Sequence, residues 1–263
     1  MESTLEKIAA TMEKVERNTE PRSSFYILVS EKSTKIRTRY NPLIELDARK
    51  KYEMALVNLE TYYSFPNISA TNNNFRYSPD EGDTWVVVNI PEGCYEIADI
   101  NGYLQRAMKD NEHYDVVNQE YRISIQPNSN TLKSVLAVAR DYRVDFTPIN
   151  SIRSVLGFKR WVYNEGYHES EDIVNIMNVS SLRVTSDIIG ASYTNGETGN
   201  VIYSFFPNVG PGYKIIEVPT NLIYLPVTLD RISSMETRLT DQNGNLLNLR
   251  GEELSIRFHL REV

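Results

Sequence analysis

One cysteine and three histidines are the side chains of this sequence best suited to nucleophilic or metal chemistry. Cys94 beside His113 or His168 would make a thiolate and imidazole pair if the fold brought them together. A lone cysteine next to the turn Pro91-Glu-Gly-Cys94 reads more simply as structural. His113, His168 and His259 are scattered, and neither an HExxH string nor paired-cysteine spacing is present, so no zinc site is expected. There is no GxSxG elbow and no phosphate-binding P-loop. Glu165, Glu169, Glu171 and Asp172 form an acidic loop without the alternating ligands of a calcium-binding EF-hand, which suits a solvated loop. Arg250-Gly-Glu252 reads as turn chemistry ahead of the last strand. Paired carboxylates for glycoside hydrolysis stay open as an alternative, because among 35 acidic residues spacing along the chain does not fix distance in the fold. The expectation is a protein that is not an enzyme and holds no cofactor or metal.

The elements that would position any such groups follow from composition and pattern. The 263 residues are 41% hydrophobic and 24% charged, a globular composition with room for a full core. No apolar run approaches the roughly 18 residues needed to cross a bilayer. The amino-terminal stretch MESTLEKIAATMEKVE is charged throughout, so a soluble chain, not secreted by the usual route and without a membrane partner, is expected. A single cysteine excludes a disulfide framework and fits a reducing compartment, in which the sequons at Asn67 and Asn178 are accidental.

The net charge of −7 is unevenly spread. Between Arg22 and Lys51 stand eight basic and three acidic residues, so a basic segment precedes an acidic body. Leu5, Ile8 and Met12, with Val15, lie at helical spacing and make one short apolar stripe that needs a partner. Residues 1–51 are therefore read as an N-terminal arm that orders on assembly. Lys35, Arg37 and Arg39 are its candidate contacts to neighbouring subunits or to packaged DNA. A solvated basic linker is the bland alternative.

From Tyr52 onward short runs rich in Val, Ile, Tyr, Phe and Thr recur between turn sequences. They fall at residues 54–65, 84–90, 121–126, 132–138, 142–146, 181–188, 201–206, 213–218, 222–227, 232–240 and 253–261. The last alternates Leu254, Ile256, Phe258 and Leu260 against Ser255, Arg257, His259 and Arg261, a strand with one buried face. Ile97–Met108 follows the helical period, and residues 150–156 form a short helix that stops at Gly157. Many short strands with regular turns predict an all-β sandwich over residues 52–263, with helices only in its connections.

Within that body, the order Pro91-Glu-Gly-Cys-Tyr95 leading into Ile97–Met108, then Asn150-Ser-Ile-Arg-Ser-Val-Leu-Gly-Phe158, Val201-Ile-Tyr-Ser-Phe-Phe206, Pro219–Pro226 and Asp241-Gln-Asn-Gly-Asn245 resembles the penton (minor capsid) proteins of Polinton/Maverick elements and adintoviruses. Order and spacing carry the resemblance, over about residues 52–263, and the arm lies outside it. It implies a single jelly-roll β-sandwich that forms homopentamers at the vertices of an icosahedral capsid, beside a double-jelly-roll major capsid protein. It also implies a place in the virion capsid after assembly inside the host cell, in nucleus or cytoplasm. Tyr62, Tyr63, Tyr163 and Tyr167 are candidate aromatic anchors for such contacts, although for any single ring capping the sheets of its own subunit is the commoner role. Jelly rolls also serve as ligand- or glycan-binding modules, which is the second reading.

Overall fold

The computed structural model describes residues 23–263 except 178, 191 and 195. The apolar stripe of Leu5, Ile8 and Met12 lies outside the described residues, as does the sequon at Asn178. The chain enters a sandwich with β1 (Ser24–Glu31), β2 (Lys35–Glu45) and β3 (Tyr52–Tyr62). It leaves for a lobe built from β4 (Asn74–Ser78), β5 (Val86–Asn89), α1 (Ile97–Asp110), β6 (Tyr114–Asp115), β7 (Glu120–Tyr121), β8 (Ile123–Asn128), β9 (Lys133–Val138), β10 (Arg143–Asp145), α2 (Arg153–Leu156), β11 (Val162–Tyr163) and β12 (Gly166–Glu169). It returns with β13 (Leu182–Ser186), the hairpin β14 (Ser192–Thr194) and β15 (Glu197–Gly199), β16 (Val201–Phe205), β17 (Lys214–Glu217), β18 (Leu225–Pro226), β19 (Arg231–Thr240) and β20 (Leu254–Glu262).

A five-stranded and a four-stranded antiparallel sheet face each other, in the orders β1-β20-β3-β17, with β18 also paired to β3, and β16-β13-β19-β2. Taking β1, β2, β3, β13, β16, β17, β19 and β20 as eight successive strands, the sheets read 1-8-3-6 and 5-4-7-2. This is the double Greek key of a jelly roll, and the fold is all-β. Alternation supplies the core. Leu254, Ile256, Phe258 and Leu260 on β20 are fully buried against Met54, Leu56 and Leu59 of β3, and Ile232, Met235 and Leu239 of β19 close the opposite layer.

The sequence-based division at residue 51 differs from the one the packing makes. β1 pairs with β20 from Ser24↔Arg261 to Glu31↔Leu254 and buries Ile27 and Val29, while β2 pairs with β19 and buries Ile36. Residues 24–45 are thus two of the eight sandwich strands and not an arm. Three of the eight basic residues that suggested an arm, Lys35, Arg37 and Arg39, stand at alternate, exposed positions of β2.

The segment from 66 to 176 differs as well. It was expected to contribute sandwich strands, yet it forms a lobe with its own hydrophobic cluster around Phe75, Tyr77, Ile100, Leu104, Ile125, Leu136 and Phe146. Its sheets run β11-β10-β4-β5 and β12-β9-β8. Helix α1 starts with a reciprocal cap in which the Glu96 amide donates to Asp99 Oδ2, and it buries Ile97, Ile100, Leu104 and Met108. Asn101 Oδ1 on the same helix accepts the amide of Ile125 in β8. Helix α2 ends as its sequence predicts. Gly157 takes φ +83°, the Phe158 amide turns back to Arg153 O, and a Cβ at 157 would collide with the carbonyl of Asp172. The lobe occupies the connection between β3 and β13, at the sandwich end that also holds the β1–β2, β16–β17 and β19–β20 turns. Between Pro66 and Ile176 there are ten basic and sixteen acidic residues, so the acidic excess of the chain sits in the lobe.

Candidate functional site

The groups singled out for catalysis each serve another purpose in the fold. Cys94 Sγ donates to Phe65 O at 3.3 Å, and burial pushes its thiol up, away from the reactive thiolate. His113 Nδ1 is bound to the Tyr77 hydroxyl, His168 Nε2 to Asn164 O, and His259 Nδ1 to the Tyr224 hydroxyl. In the acidic loop, Glu169 accepts from Asn128 and Thr131, Glu171 from the Tyr163 hydroxyl and the Lys159 amide, and Asp172 pairs with Lys159. Among the described residues no three metal-ligating side chains gather.

A cleft of about 340 Å³ lies where lobe and sandwich join, lined by Tyr63, Phe65, Tyr95, Met177, Val209 and Pro211 among others. Asn67 fastens this joint. Its Nδ2 donates to Tyr95 O and Ile176 O, and its Oδ1 accepts the Tyr95 amide, so one buried side chain ties the outgoing strand to the returning one. Asn67 is buried, and all of its amide contacts are to backbone groups of the joint. Asn67→Ala orphans two carbonyls and one amide, each of which costs about 1–3 kcal/mol when left unpaired. With water re-entering the open cleft, a loss of about 2 kcal/mol in urea unfolding is expected, and an unchanged midpoint would contradict the latch role.

The broad surfaces of the sandwich are more distinctive than its cleft. Lys35, Arg37 and Arg39 project from alternate positions of the edge strand β2, all exposed, opposite Arg238, Glu236 and Ser234 of β19. Glu236 is shared by Lys35 and Arg238, and the hydrogen bond from Arg238, with the charges of both, holds its carboxyl below the ordinary range. The outer face of the β1-β20-β3-β17 sheet has a polar middle: Arg261 pairs with Glu53 and lies over the Tyr224 ring, and Glu60 pairs with Lys214. Both margins expose large apolar side chains, on β17 next to Lys214. Tyr26 and Leu28 on β1 are 66% and 59% exposed, and Ile216, Val218 and Ile223 along the β17–β18 margin are 55–62% exposed.

Of the four tyrosines, Tyr62 and Tyr167 are exposed, at 39% and 86%, on the sandwich and the lobe respectively. Tyr63 and Tyr163 are corrections, since both are buried. Tyr63 stacks on Phe65, and Tyr163 packs against Phe146 and Phe158. Adjacent residues of a strand face opposite ways, so Tyr62 and Tyr63 had to part. The exposed margins were missed by sequence reasoning, although a signal existed. Phe25-Tyr-Ile-Leu-Val29 and Ile215-Ile216 are apolar on both faces, which is the pattern of a strand covered on both sides.

No protein-family model and no curated protein matches the chain. Among solved structures it is similar to the flagellar cap protein FliD from Escherichia coli at 10% identity. The D2-D3 domains match over 83% of this chain and 100% of theirs with a TM-score of 0.23, and the D1-D2-D3 domains over 83% and 55% with a TM-score of 0.19. It is also similar to the mavirus penton protein, at 10% identity and a TM-score of 0.48, over 92% of this chain and 100% of that one.

Proposed function

We propose that this chain is a structural penton-type minor capsid protein of the Polinton/Maverick and adintovirus kind, which closes into a homopentamer at a capsid vertex and contacts a double-jelly-roll major capsid protein. The observation that carries this reading is a jelly roll whose two lateral strands expose large apolar side chains, Tyr26 and Leu28 on β1 and Ile216 on β17, on the face the subunit leaves uncovered. The order of sequence strings over residues 52–263 adds the family resemblance. Function in such a protein is contact area rather than a reacting centre, and the virion capsid, assembled inside the host cell, is its place. The row of Lys35, Arg37 and Arg39 suits an acidic neighbour or packaged DNA.

The test is co-expression of the full chain with a double-jelly-roll major capsid protein from the same genome. Recovery of both in one particle, with this chain at the five-fold positions in electron micrographs, is expected. Particles that close with no density for this chain at their vertices would overturn the reading. A ligand- or glycan-binding module is the second reading, favoured by the aromatic lining of the cleft at the joint. It predicts saturable binding on a glycan array that Tyr95→Ala abolishes.

A further inference from the structure

The outer face of the β16-β13-β19-β2 sheet is basic, although the chain as a whole carries a net charge of −7. Strand register sets its cations in one line. Arg39 and Arg37 stand opposite Ser234 and Glu236 of β19, and Lys35 stands opposite Arg238, which is itself opposite Thr185 of β13. One step further in the same direction Arg183 of β13 stands opposite Thr240. Five cations therefore run across three strands. The carboxylates among them are Glu236, shared by Lys35 and Arg238, and Asp187, whose Oδ1 accepts the Glu236 amide. Among the described residues Arg37, Arg39 and Arg183 take part in no ion pair. Beyond the bulge in β19, Glu45 and Arg231 face each other and cancel.

The chemistry of this face selects what it can hold. A protein partner would need an apolar centre within a polar rim, and a site for unstacked bases would need aromatic platforms. Neither is present: β13, β16 and β19 expose no large apolar side chain, and β2 exposes only Leu43, beyond the three cations. Free guanidinium groups are planar forks of donors suited to phosphate oxygens. Alternate residues of a strand lie about 6.7 Å apart, so the line from Arg39 to Arg183 is about 20 Å long. Over that length one strand of duplex DNA presents roughly six phosphates, enough for each cation to meet one. Arg183 and Arg238 also line a polar groove of about 280 Å³ in which Thr185 and Asn200 add neutral hydrogen-bonding groups.

Resting on the capsid reading above, which brings this chain together with packaged DNA, we infer that this sheet face is a phosphate track that holds the backbone of double-stranded DNA without reading its sequence. The track takes in Arg183 and Arg238 from two further strands besides the β2 row, and its lack of apolar anchors favours DNA over an acidic protein neighbour.

The experiment measures binding of the full chain to a fluorescein-labelled duplex of random sequence by fluorescence anisotropy over a salt series. Affinity is expected to fall on the order of 100-fold between about 50 and 200 mM salt, the loss that about four phosphate contacts give. Arg37→Ala and Arg183→Ala, each checked for fold by far-UV circular dichroism, are each expected to weaken binding equally on unrelated sequences and to lower the salt slope by about one. Arg257→Ala, exposed on the outer face of the other sheet, is expected to leave the slope unchanged. A slope that neither variant lowers, a preference for single strands over duplex, or displacement of the duplex by polyglutamate at equal charge would overturn the inference; the last would point to an acidic protein instead. A chain that occupies particle vertices yet binds no duplex overturns the phosphate track alone. A chain that binds duplex as described but is absent from the vertices overturns the capsid reading, and the track stands as a sequence-independent DNA-binding face.

Discussion

Phe258→Ala is expected to remove about 3–5 kcal/mol from the stability of the sandwich, the range for deleting a buried aromatic ring. Phe258 is fully buried on β20, between Ile27 of β1 and Leu56 of β3 in register, directly after the bulge at Arg257. Three strands meet on that ring, so neighbouring side chains cannot all collapse into the space it leaves, and incomplete collapse puts the cost toward the upper end of the range. Urea unfolding followed by far-UV circular dichroism measures it. A loss below about 1 kcal/mol would mean that this layer is not the close-packed core described.

In the lobe, Arg76→Ala is expected to be strongly destabilising. The side chain of Asp145 is 1% exposed and pairs with Arg76 Nε at 2.6 Å, while its other oxygen accepts the Thr147 amide. Burial would raise the Asp145 carboxyl, but the Thr147 hydrogen bonds and the Arg76 charge outweigh it and hold the group below its ordinary value. Breaking a buried pair costs about 3–5 kcal/mol, and the 41% exposure of Arg76 lowers the expectation to about 2–3 kcal/mol. The pH dependence has a definite sign. Because the folded carboxyl titrates below the unfolded value of about 3.9, the pair contributes fully above that pH and its contribution is lost as pH falls through the folded value. The gap between the unaltered chain and Arg76→Ala is therefore wide at neutral pH and narrows below about pH 4. A gap that widens on acidification would contradict the assignment. Phe258 and Arg76 belong to different cores, so the double variant is expected to show additive losses.

Local pattern carried much of the architecture. β20 lies at residues 254–262 with the four expected residues inward, and α1 begins at Ile97 with its expected apolar positions buried. Both are elements whose period alone decides which face is covered. The partnership of β1 with β20 was beyond such reasoning, because Ser23 and Glu262, which hydrogen-bond, are 239 positions apart. The lobe was hidden for a related reason: strands such as Ile123–Asn128 and Lys133–Val138 have the same chemistry as sandwich strands, and only pairing separates them. Net charge misled over residues 22–51 because a window sum cannot distinguish the outward face of β2 from an unstructured arm. Of the expected contact residues, Lys35, Arg37, Arg39, Tyr62 and Tyr167 reach the surface, whereas Tyr63 and Tyr163 went to the core.

The large apolar side chains at the β1 and β17 margins bear on the proposed function for a related reason. A strand apolar on both faces is ordinary inside a doubly covered sheet and costly at the edge of one, and the subunit by itself covers only one face. Native mass spectrometry of the purified full-length chain tests this most directly. The account predicts a discrete species of five chain masses, each of 30.3 kDa, that dissociates without loss of secondary structure when the β1 margin is made cationic. A chain that stays strictly monomeric at every concentration, alone and beside its capsid partner, would contradict it.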